Sequence, residues 1–295
     1  MVDFLIVGAQ KCGTTSLHRY LFAHPQIEMP RSKELDFFSN DKYFSKGLEY
    51  YQSFFSHLDD QNILSGEASP QYMYYDIAPQ RIHAAYPDIR LIMCLRDPVE
   101  RALSHLHMNQ RRGLDSRSLM EAYREFQDGT FPHKDDPEFG YFHLGEYGRI
   151  LKTYLRYFDL QQILFVHAGD LRRNRLGELD RVLAFLGRDN LIPTKVLQTE
   201  FHQGGDQRFP WLGRGIKRFA QLSPQLNRAI KAVVGTDRVY TLLHKIETEW
   251  NISSRKNAAT RDLSPEDKRE IAASFAADEA MFEDLAGYRL PWARP

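Results

Sequence analysis

The segment Phe4-Leu5-Ile6-Val7-Gly8-Ala9-Gln10-Lys11-Cys12-Gly13-Thr14-Thr15-Ser16 decides the fold of this chain. Its first four residues form an apolar run without alternation, which is typical of a strand buried on both faces of a parallel sheet. Two glycines then frame a short turn, and the sequence from Thr14 to Phe22 has the character of a helix. A strand, a glycine turn and a helix in this order predict the first βα unit of an α/β domain.

The turn inside this segment has the composition of an anion-binding loop. Glycines let consecutive N–H groups point inward, and the start of a helix adds a partial positive charge. Thr14, Thr15 and Ser16 supply hydroxyl donors, and Lys11 supplies a mobile positive charge. In the nucleotide triphosphate loop G-x-x-x-x-G-K-[ST] the lysine follows the second glycine, where this chain has Thr14. The alternative is a glycine turn that binds no ligand.

Strands and helices alternate along the chain outward from this segment. Further strands are expected at 63–65, 90–95 and 163–167, and helices at 48–55, 77–85, 99–110, 145–157 and 176–186. The alternation predicts right-handed βαβ units around a parallel sheet flanked by helices. No strand is predicted after Gly187. Residues 200–295 are expected to be mainly helical, with the clearest amphipathic helix at 265–285.

Composition and charge narrow the class of protein. The 295 residues, 42% hydrophobic and 26% charged, suit an ordered globular α/β domain. The 39 basic and 39 acidic residues cancel, so no overall field favours nucleic acid, and any anion site must be local. Cys12 and Cys94 are the only cysteines, too few for a disulfide framework or a cysteine-rich zinc site.

The N-terminal sequence and the lengths of the apolar runs indicate where in the cell the protein is expected. The first residues lack a basic region followed by an apolar region and a small-residue cleavage site. The longest apolar runs, such as 91–95, are far shorter than the roughly 20 residues of a membrane helix. The sequence therefore predicts a cytoplasmic protein without membrane insertion.

Three segments, in order, resemble the signatures of sulfotransferases that use 3′-phosphoadenosine-5′-phosphosulfate (PAPS). Residues 7–17 resemble the 5′-phosphosulfate loop. The segment Lys33-Glu34-Leu35-Asp36-Phe37-Phe38 resembles the K-E-x-H-F-F of the heparan sulfate branch and its bacterial relatives. Residues 95–104, Leu-Arg-Asp-Pro-Val-Glu-Arg-Ala-Leu-Ser, resemble the 3′-phosphate signature L-R-[DN]-P-x-x-R-x-x-S. With similarity at 163–187 and 263–292, the resemblance covers nearly the whole chain.

This resemblance implies a P-loop-like sulfotransferase fold, PAPS as the donor, 3′-phosphoadenosine 5′-phosphate (PAP) as the product and no metal. The acceptor is expected to be a small molecule or a carbohydrate. Glu34 is implied to be the general base, and Lys11 is implied to neutralise charge on the leaving phosphate. The implied nucleotide-binding residues are Lys11, Cys12, Gly13, Thr14, Thr15, Ser16, Arg96 and Ser104. Arg96 follows a parallel strand, where open α/β sheets bind ligands, and Ser104 lies about two helical turns further on.

Three residues in or near the motif segments have more than one interpretation. Glu34 could instead be an exposed carboxylate paired with Lys33 or Arg31. Arg101 is expected to form a structural ion pair with Glu100 or Asp97 rather than to bind phosphate. His107 is either an acceptor contact or alternative base, or an ordinary surface or packed histidine.

The chain departs from the family pattern at two positions. Asp36 stands where K-E-x-H-F-F has histidine, and it is either a second carboxylate acting on Glu34 or simply a loop residue. Ala68 stands where the heparan enzymes have the lysine of E-K-[ST]-P-x-Y, which argues against a highly anionic polysaccharide acceptor. The better comparison is with bacterial enzymes that act on small molecules.

The whole chain, 1–295, is predicted to be a single domain. Residues 113–143 are expected to form a mobile lid or an acceptor-facing insertion, whose aromatic side chains either line an acceptor pocket or pack. Residues 207–210 are expected to close over the nucleotide. Two alternatives to sulfuryl transfer are a magnesium-dependent nucleotide kinase and a non-catalytic PAP-binding module.

Overall fold

The computed structural model describes residues 1–131, 136–198 and 263–292, together with two short strands at 206–207 and 252–253. The chain divides into two compact units. The first comprises Met1–Leu106, Leu119–His202 and Leu263–Pro295, and the second comprises His107–Ser118 and Gln203–Asp262. Among the described residues, no helix combines the length and the apolar character needed to cross a membrane.

A five-stranded parallel sheet forms the centre of the first unit. Its strands are β1 (Phe4–Gly8), β2 (Ile27–Glu28), β3 (Leu64–Ala68), β4 (Arg90–Leu95) and β5 (Ile163–His167). Their order in the sheet is β2-β3-β1-β4-β5, and every neighbouring pair is parallel. Strand β1 is therefore central, with β3 on one side and β4 on the other. The predicted parallel sheet flanked by helices is confirmed.

Helices alternate with these strands along the chain. The helices are α1 (Thr14–Phe22), α2 (Asp41–Phe44), α3 (Leu48–Gln52), α4 (Ile77–Ala85), α5 (Pro98–Arg112), α6 (Leu119–Gln127), α7 (Tyr147–Tyr154), α8 (Ala168–Arg173), α9 (Arg175–Leu186), α10 (Thr194–Leu197) and α11 (Pro265–Ala286). Within the first unit, the C-terminal helix α11 packs on α7. Short 3₁₀ turns lie at Pro70–Met73, Pro137–Phe139, His143–Gly145 and Leu160–Gln162.

The central strands are buried because both faces of the sheet are covered. Every residue of β1 and β3 is buried, and so are the last five of β4. This explains the apolar runs without alternation at 4–7 and 91–95. A second cluster of buried side chains joins α5 and α6 to Tyr141, Phe142 and α11. The segment that follows α6 is therefore packed in a hydrophobic cluster of its own, separate from the core around the sheet.

Some expectations from the sequence differ from the structure. The loop bracketed by Pro25 and Pro30 contains β2, a two-residue edge strand too short to leave a pattern. The prediction of no strand after Gly187 is wrong, because Asp206–Gln207 pairs antiparallel with Ile252–Ser253. The paired residues are 47 positions apart (Asp206 and Ser253) and 45 positions apart (Gln207 and Ile252), so no local sequence pattern predicts the pairing.

Candidate active site

The carboxyl ends of the parallel strands bring the predicted site residues to one edge of the sheet. The loop after β1 is tied to β4 by the Ala9 N–H, which donates to the Cys94 carbonyl at 2.8 Å. The end of β3 is tied to β1 by the Ser69 N–H, which donates to the Ile6 carbonyl at 3.1 Å. Ligands bind at this edge in open α/β sheets, particularly beside a central strand where connections diverge to both sides. The loop after β1, the end of β3 and the end of β4 therefore meet at one candidate site.

The phosphate loop, residues 8–16, has the backbone geometry that its glycines suggested. Gly13 caps helix α1 in the left-handed conformation, with φ 89°. A side chain at Gly8 would lie within 2.7 Å of Met73 Sδ and 2.9 Å of the Pro70 carbonyl, so only glycine fits there. Helix α1 has no acidic residue in its first turn, which leaves its positive end suited to an anion. Lys11 also has a left-handed backbone, with φ 72°.

The predicted loop contacts differ in exposure. Thr14 is buried, whereas Lys11, Thr15 and Ser16 are half-buried. The Cys12 side chain is fully buried, and its N–H already donates to the Ala9 carbonyl at 3.2 Å. Burial raises the pKa of the Cys12 thiol, so this side chain is a neutral packing group. Any contact of Cys12 with phosphate stays a prediction.

The segment after β4 contains both a structural residue, Asp97, and two candidate phosphate ligands, Arg96 and Ser104. Asp97 caps helix α5, since its Oδ1 accepts from the N–H groups of Val99 at 2.9 Å and Glu100 at 3.0 Å. A capping carboxylate followed by proline explains why the helix begins at Pro98. Arg96 is partly exposed and lies 3.6 Å from Glu100, while Ser104 is half-buried on the same helix. Arg96 and Ser104 thus lie on the elements where the sequence placed them.

Arg101 is fully buried and binds backbone rather than an acid. Its guanidinium donates to the carbonyls of Gln10 at 3.5 Å, Gly140 at 3.2 Å and Tyr141. The expected ion pair with Glu100 or Asp97 is wrong, because Glu100 faces Arg96 and Lys268 and Asp97 caps the helix. Arg101 therefore joins the phosphate loop to the segment after residue 136. Its role is structural, as expected, but through carbonyl oxygens.

Glu34 lies on a short turn, residues 33–36, that we call the base turn. The turn is docked on the end of β3, where the Glu34 N–H donates to the Ala68 carbonyl at 3.2 Å and the Asp36 N–H donates to Ser69 Oγ at 2.9 Å. Glu34 and Asp36 both have left-handed backbones, with φ 66° and 51°. The Glu34 side chain is 47% exposed and pairs with Lys33, which is the contact that the alternative interpretation expected.

The two phenylalanines that follow the base turn anchor it to the hydrophobic core. Phe37 and Phe38 are buried and pack on Tyr51 and Tyr72, with ring centroids 4.8 Å and 5.6 Å apart for the Phe37–Tyr51 and Phe38–Tyr72 pairs. Burial of two such side chains stabilises the fold by several kcal/mol, about 2 each. The conformation of the preceding turn is therefore fixed by the core as well as by its hydrogen bonds.

Glu67 is a buried carboxyl group to which the sequence analysis gave no role. It lies within β3, where its Oε2 accepts from Ser69 Oγ at 2.8 Å and its Oε1 accepts from the Tyr72 hydroxyl. Burial raises its pKa to about 7, although both hydrogen bonds act in the opposite direction. A glutamate inside a strand whose other residues carry no charge was the sequence signal for it. Through Ser69, Glu67 supports the backbone of the base turn.

Tyr147 on α7 is a second residue that the sequence did not single out. Its hydroxyl donates to the Arg96 carbonyl at 2.8 Å, accepts from the Arg96 N–H at 3.3 Å and lies 3.5 Å from Cys12 Sγ. One hydroxyl thus connects the phosphate loop to the segment after β4. These contacts span 51 and 135 residues of sequence, so no local pattern reveals them.

The remaining candidates stay predictions. His107 is half-buried on α5 and belongs to the second unit. Residues 208–210 of the expected nucleotide-closing segment lie outside the described residues. Within the proposed lid, 119–127 form helix α6, and the aromatic side chains of Phe131, Tyr141 and Phe142 are buried in the second cluster.

Comparison with known proteins shows the family to which this chain belongs. A family model described as the sulfotransferase domain matches residues 2–203. The chain belongs to the PAPS-dependent sulfotransferase family. Human heparan sulfate glucosamine 3-O-sulfotransferase 6 is 34% identical over 210 residues, which are 70% of this chain and 57% of that protein. Human heparan sulfate glucosamine 3-O-sulfotransferase 3B1 is 32% identical over 212 residues, 70% of this chain and 50% of that protein.

The sulfotransferase chain thus spans about half the length of these curated relatives. Among solved structures, a sulfotransferase from Alicyclobacillus acidocaldarius superimposes with a TM-score of 0.68. The alignment covers 100% of this chain and 99% of that one at 24% identity. At this level of identity the likeness shows the shared fold.

The hydroxyl of Tyr147 provides a test of how the sulfotransferase site is held together. Replacing Tyr147 by phenylalanine should lower the free energy of unfolding by about 1–2 kcal/mol, because it leaves the Arg96 carbonyl and N–H without their partner. The matched control is Tyr154→Phe on the same helix, since the buried Tyr154 hydroxyl has no hydrogen-bond partner in the described part of the chain. Urea unfolding of both variants measures the difference. Equal stabilities would contradict a linking role for Tyr147.

Proposed function

We propose that this chain transfers a sulfuryl group from PAPS to a hydroxyl or amine of a small-molecule or glycan acceptor. The observation that supports this most is the meeting of the phosphate loop, the base turn and the Arg96 segment at one sheet edge. For the 5′-phosphosulfate, the loop offers Lys11, hydroxyl groups and the start of a helix whose first turn has no acidic residue. Arg96 and Ser104 are assigned to the 3′-phosphate, for which an arginine fork is suited.

In the proposed reaction Glu34 takes the proton of the acceptor hydroxyl or amine. The acceptor atom then forms a bond to sulfur, in line with the breaking bond between sulfur and the bridging oxygen of PAPS. The electron pair of that bond leaves with PAP. Lys11 and the N–H groups at the start of α1 stabilise the charge that develops on the leaving phosphate. The exposure of Glu34 at the surface of the site supports its access to an acceptor.

The acceptor is expected to be less anionic than heparan sulfate. The names of the two human relatives specify heparan sulfate glucosamine. In this chain Ala68 is buried at the end of β3, where the heparan enzymes carry a lysine. Without that cation a polysulfated chain loses a favourable contact, so we favour a small molecule or a weakly charged glycan.

Calorimetric binding of PAP and of adenosine 5′-monophosphate, without added metal, tests the nucleotide assignment. Arg96→Ala should weaken PAP binding about 10- to 100-fold, because a charge-assisted bond to the 3′-phosphate contributes about 1.5–3 kcal/mol. The same variant should leave binding of the monophosphate, which lacks that group, almost unchanged. Lys11→Ala should weaken both ligands.

The matched control is Arg173→Ala, since Arg173 is 72% exposed on α8 and pairs only with Asp170 among the described residues. It should bind both ligands as the wild type does. Absence of PAP binding, or tighter magnesium-dependent binding of ATP, would overturn the proposal in favour of a kinase. PAP binding without any turnover of PAPS would favour the non-catalytic module.

A further inference from the structure

The carboxyl group of Glu67 lies between the hydrophobic core and the base turn. Its Oε2 accepts from Ser69 Oγ at 2.8 Å, and its Oε1 accepts from the Tyr72 hydroxyl. The Ser69 oxygen accepts in turn from the Asp36 N–H at 2.9 Å. A continuous path of hydrogen bonds therefore runs from a buried carboxyl group to the backbone of the base turn.

The donors around Glu67 require an ionised carboxyl group. A carboxylate accepts at both oxygens, so it can receive the protons of both the Ser69 and the Tyr72 hydroxyl. A protonated acid, or an amide in its place, presents an acceptor to one hydroxyl and a donor to the other. All three side chains are buried, with at most 1% exposed, so water cannot replace a lost bond.

The base turn depends on contacts of this kind. Glu34 and Asp36 have left-handed backbones, with φ 66° and 51°, which residues with side chains adopt only when their surroundings hold them there. The Glu34 N–H donates to the Ala68 carbonyl at 3.2 Å, and the Asp36 N–H donates to Ser69 Oγ. The end of β3 thus holds the turn at two points, and the second point leads to Glu67.

We propose that Glu67 is a positioning residue for sulfuryl transfer, because its carboxylate holds, through Ser69, the turn that presents Glu34 to the acceptor. The inference rests on the proposed function, in which Glu34 is the base. Protonation of Glu67 removes one of its two acceptor oxygens and weakens the attachment at Asp36. The base then loses its fixed position without any change to its own side chain.

The groups that face Glu67 are three hydroxyls, one backbone N–H and one carboxylate, belonging to Tyr51, Tyr72, Ser69, Leu35 and Asp36. Burial raises the pKa of Glu67 to about 7, and the neighbouring carboxylate adds to this. The hydrogen bonds act in the opposite direction. Glu67 is therefore protonated below about pH 7 and a carboxylate above it, so the rate of sulfuryl transfer should rise as the pH increases through this value.

Hydrogen–deuterium exchange of the base turn tests the path without any acceptor. At pH 8 the peptide that covers residues 33–40 should exchange about 10-fold faster in Ser69→Ala than in the wild type, because the Asp36 N–H loses its partner. Ser69→Thr keeps the hydroxyl and should restore the protection. The matched control is Tyr72→Phe, which removes an equivalent bond to Glu67 but leaves the Ser69–Asp36 bond in place. Wild-type exchange in Ser69→Ala, or equal acceleration in Tyr72→Phe, would overturn the proposal.

Turnover of PAPS to PAP and sulfate, with water as the acceptor, supplies the kinetic test. Glu67→Gln should lower kcat about 10- to 100-fold and leave the KM for PAPS within a few-fold, because a displaced base slows the reaction without touching the phosphate loop. Tyr72→Phe should keep the wild-type kcat at pH 9 and move the midpoint of the pH profile upward, because the Glu67 carboxylate loses a stabilising donor.

The two proposals fail in different ways. A purely structural role for Glu67 would lower the stability of these variants while leaving kcat and the midpoint in place, and that result would overturn this inference alone. Failure of the wild type to bind PAP, or full turnover by Glu34→Gln, would instead contradict the proposed function. The exchange result does not depend on which residue is the base.

Discussion

Replacement of Glu34 by glutamine is expected to slow PAPS turnover by a factor of about 10² to 10⁴, the range that a positioned general base supplies. Glutamine keeps the shape and polarity of the side chain but cannot accept the proton of the acceptor. Affinity for PAP should stay within a few-fold of the wild type, because Glu34 is assigned to the acceptor side. Chromatographic detection of PAP, combined with calorimetry, separates the two effects.

The control for this variant is Glu49→Gln, an exposed glutamate in the first turn of α3. It should turn over PAPS at the wild-type rate. The alternative interpretation makes Glu34 a surface partner of Lys33, and a surface ion pair contributes little, about 0–1 kcal/mol. If Glu34→Gln retains the wild-type rate, that interpretation is correct and the base must be sought elsewhere.

The second large effect is expected for Arg101→Met. Methionine fills part of the same volume but donates no hydrogen bond, so two buried carbonyls and the partly buried Gln10 carbonyl lose this donor. We expect the free energy of unfolding to fall by about 3 kcal/mol, in the range found when one side of a buried charged network is removed. Because one of these carbonyls is Gln10 in the phosphate loop, PAP affinity should fall as well.

Arg173→Met is the matched control, since it removes an equally long cation from the surface. Its unfolding free energy should stay within about 1 kcal/mol of the wild type. Urea unfolding of the two variants gives the comparison directly. Similar stabilities would show that the carbonyls around Arg101 find other partners, which would contradict its role as the link between the phosphate loop and the segment after residue 136.

Local sequence was sufficient for most of the elements. The predicted bounds of α1, α4, β4 and β5 agree with the structure residue for residue. Each of these elements is marked by a signal within a few residues, such as an apolar run or a flanking glycine or proline. Strand β2 and the antiparallel pair β6 (Asp206–Gln207) and β7 (Ile252–Ser253) were missed, because two-residue strands form only through partners that are distant in sequence.

The candidate site was predicted in part. The three motifs named Lys11, Glu34 and Arg96, and the parallel sheet brings their segments to one edge because the strands that precede them end there. The contacts that hold these segments were not predictable. Tyr147 and Glu67 act across the fold, and their side chains follow no periodic pattern.

By itself, the sequence determined the class of fold and predicted the kind of ligand. A buried strand, a glycine turn and a helix without acidic residues at its start are enough to predict a parallel α/β domain, and they favour an anion as the ligand of the loop. Tertiary structure alone decided the charge environment of the site. Burial distinguishes the exposed Glu34 from the half-buried Asp36 and the fully buried Glu67, and it raises the pKa of Asp36 to about 6 and that of Glu67 to about 7. The reason is that desolvation depends on every neighbouring atom, and those neighbours come from segments far apart in the chain.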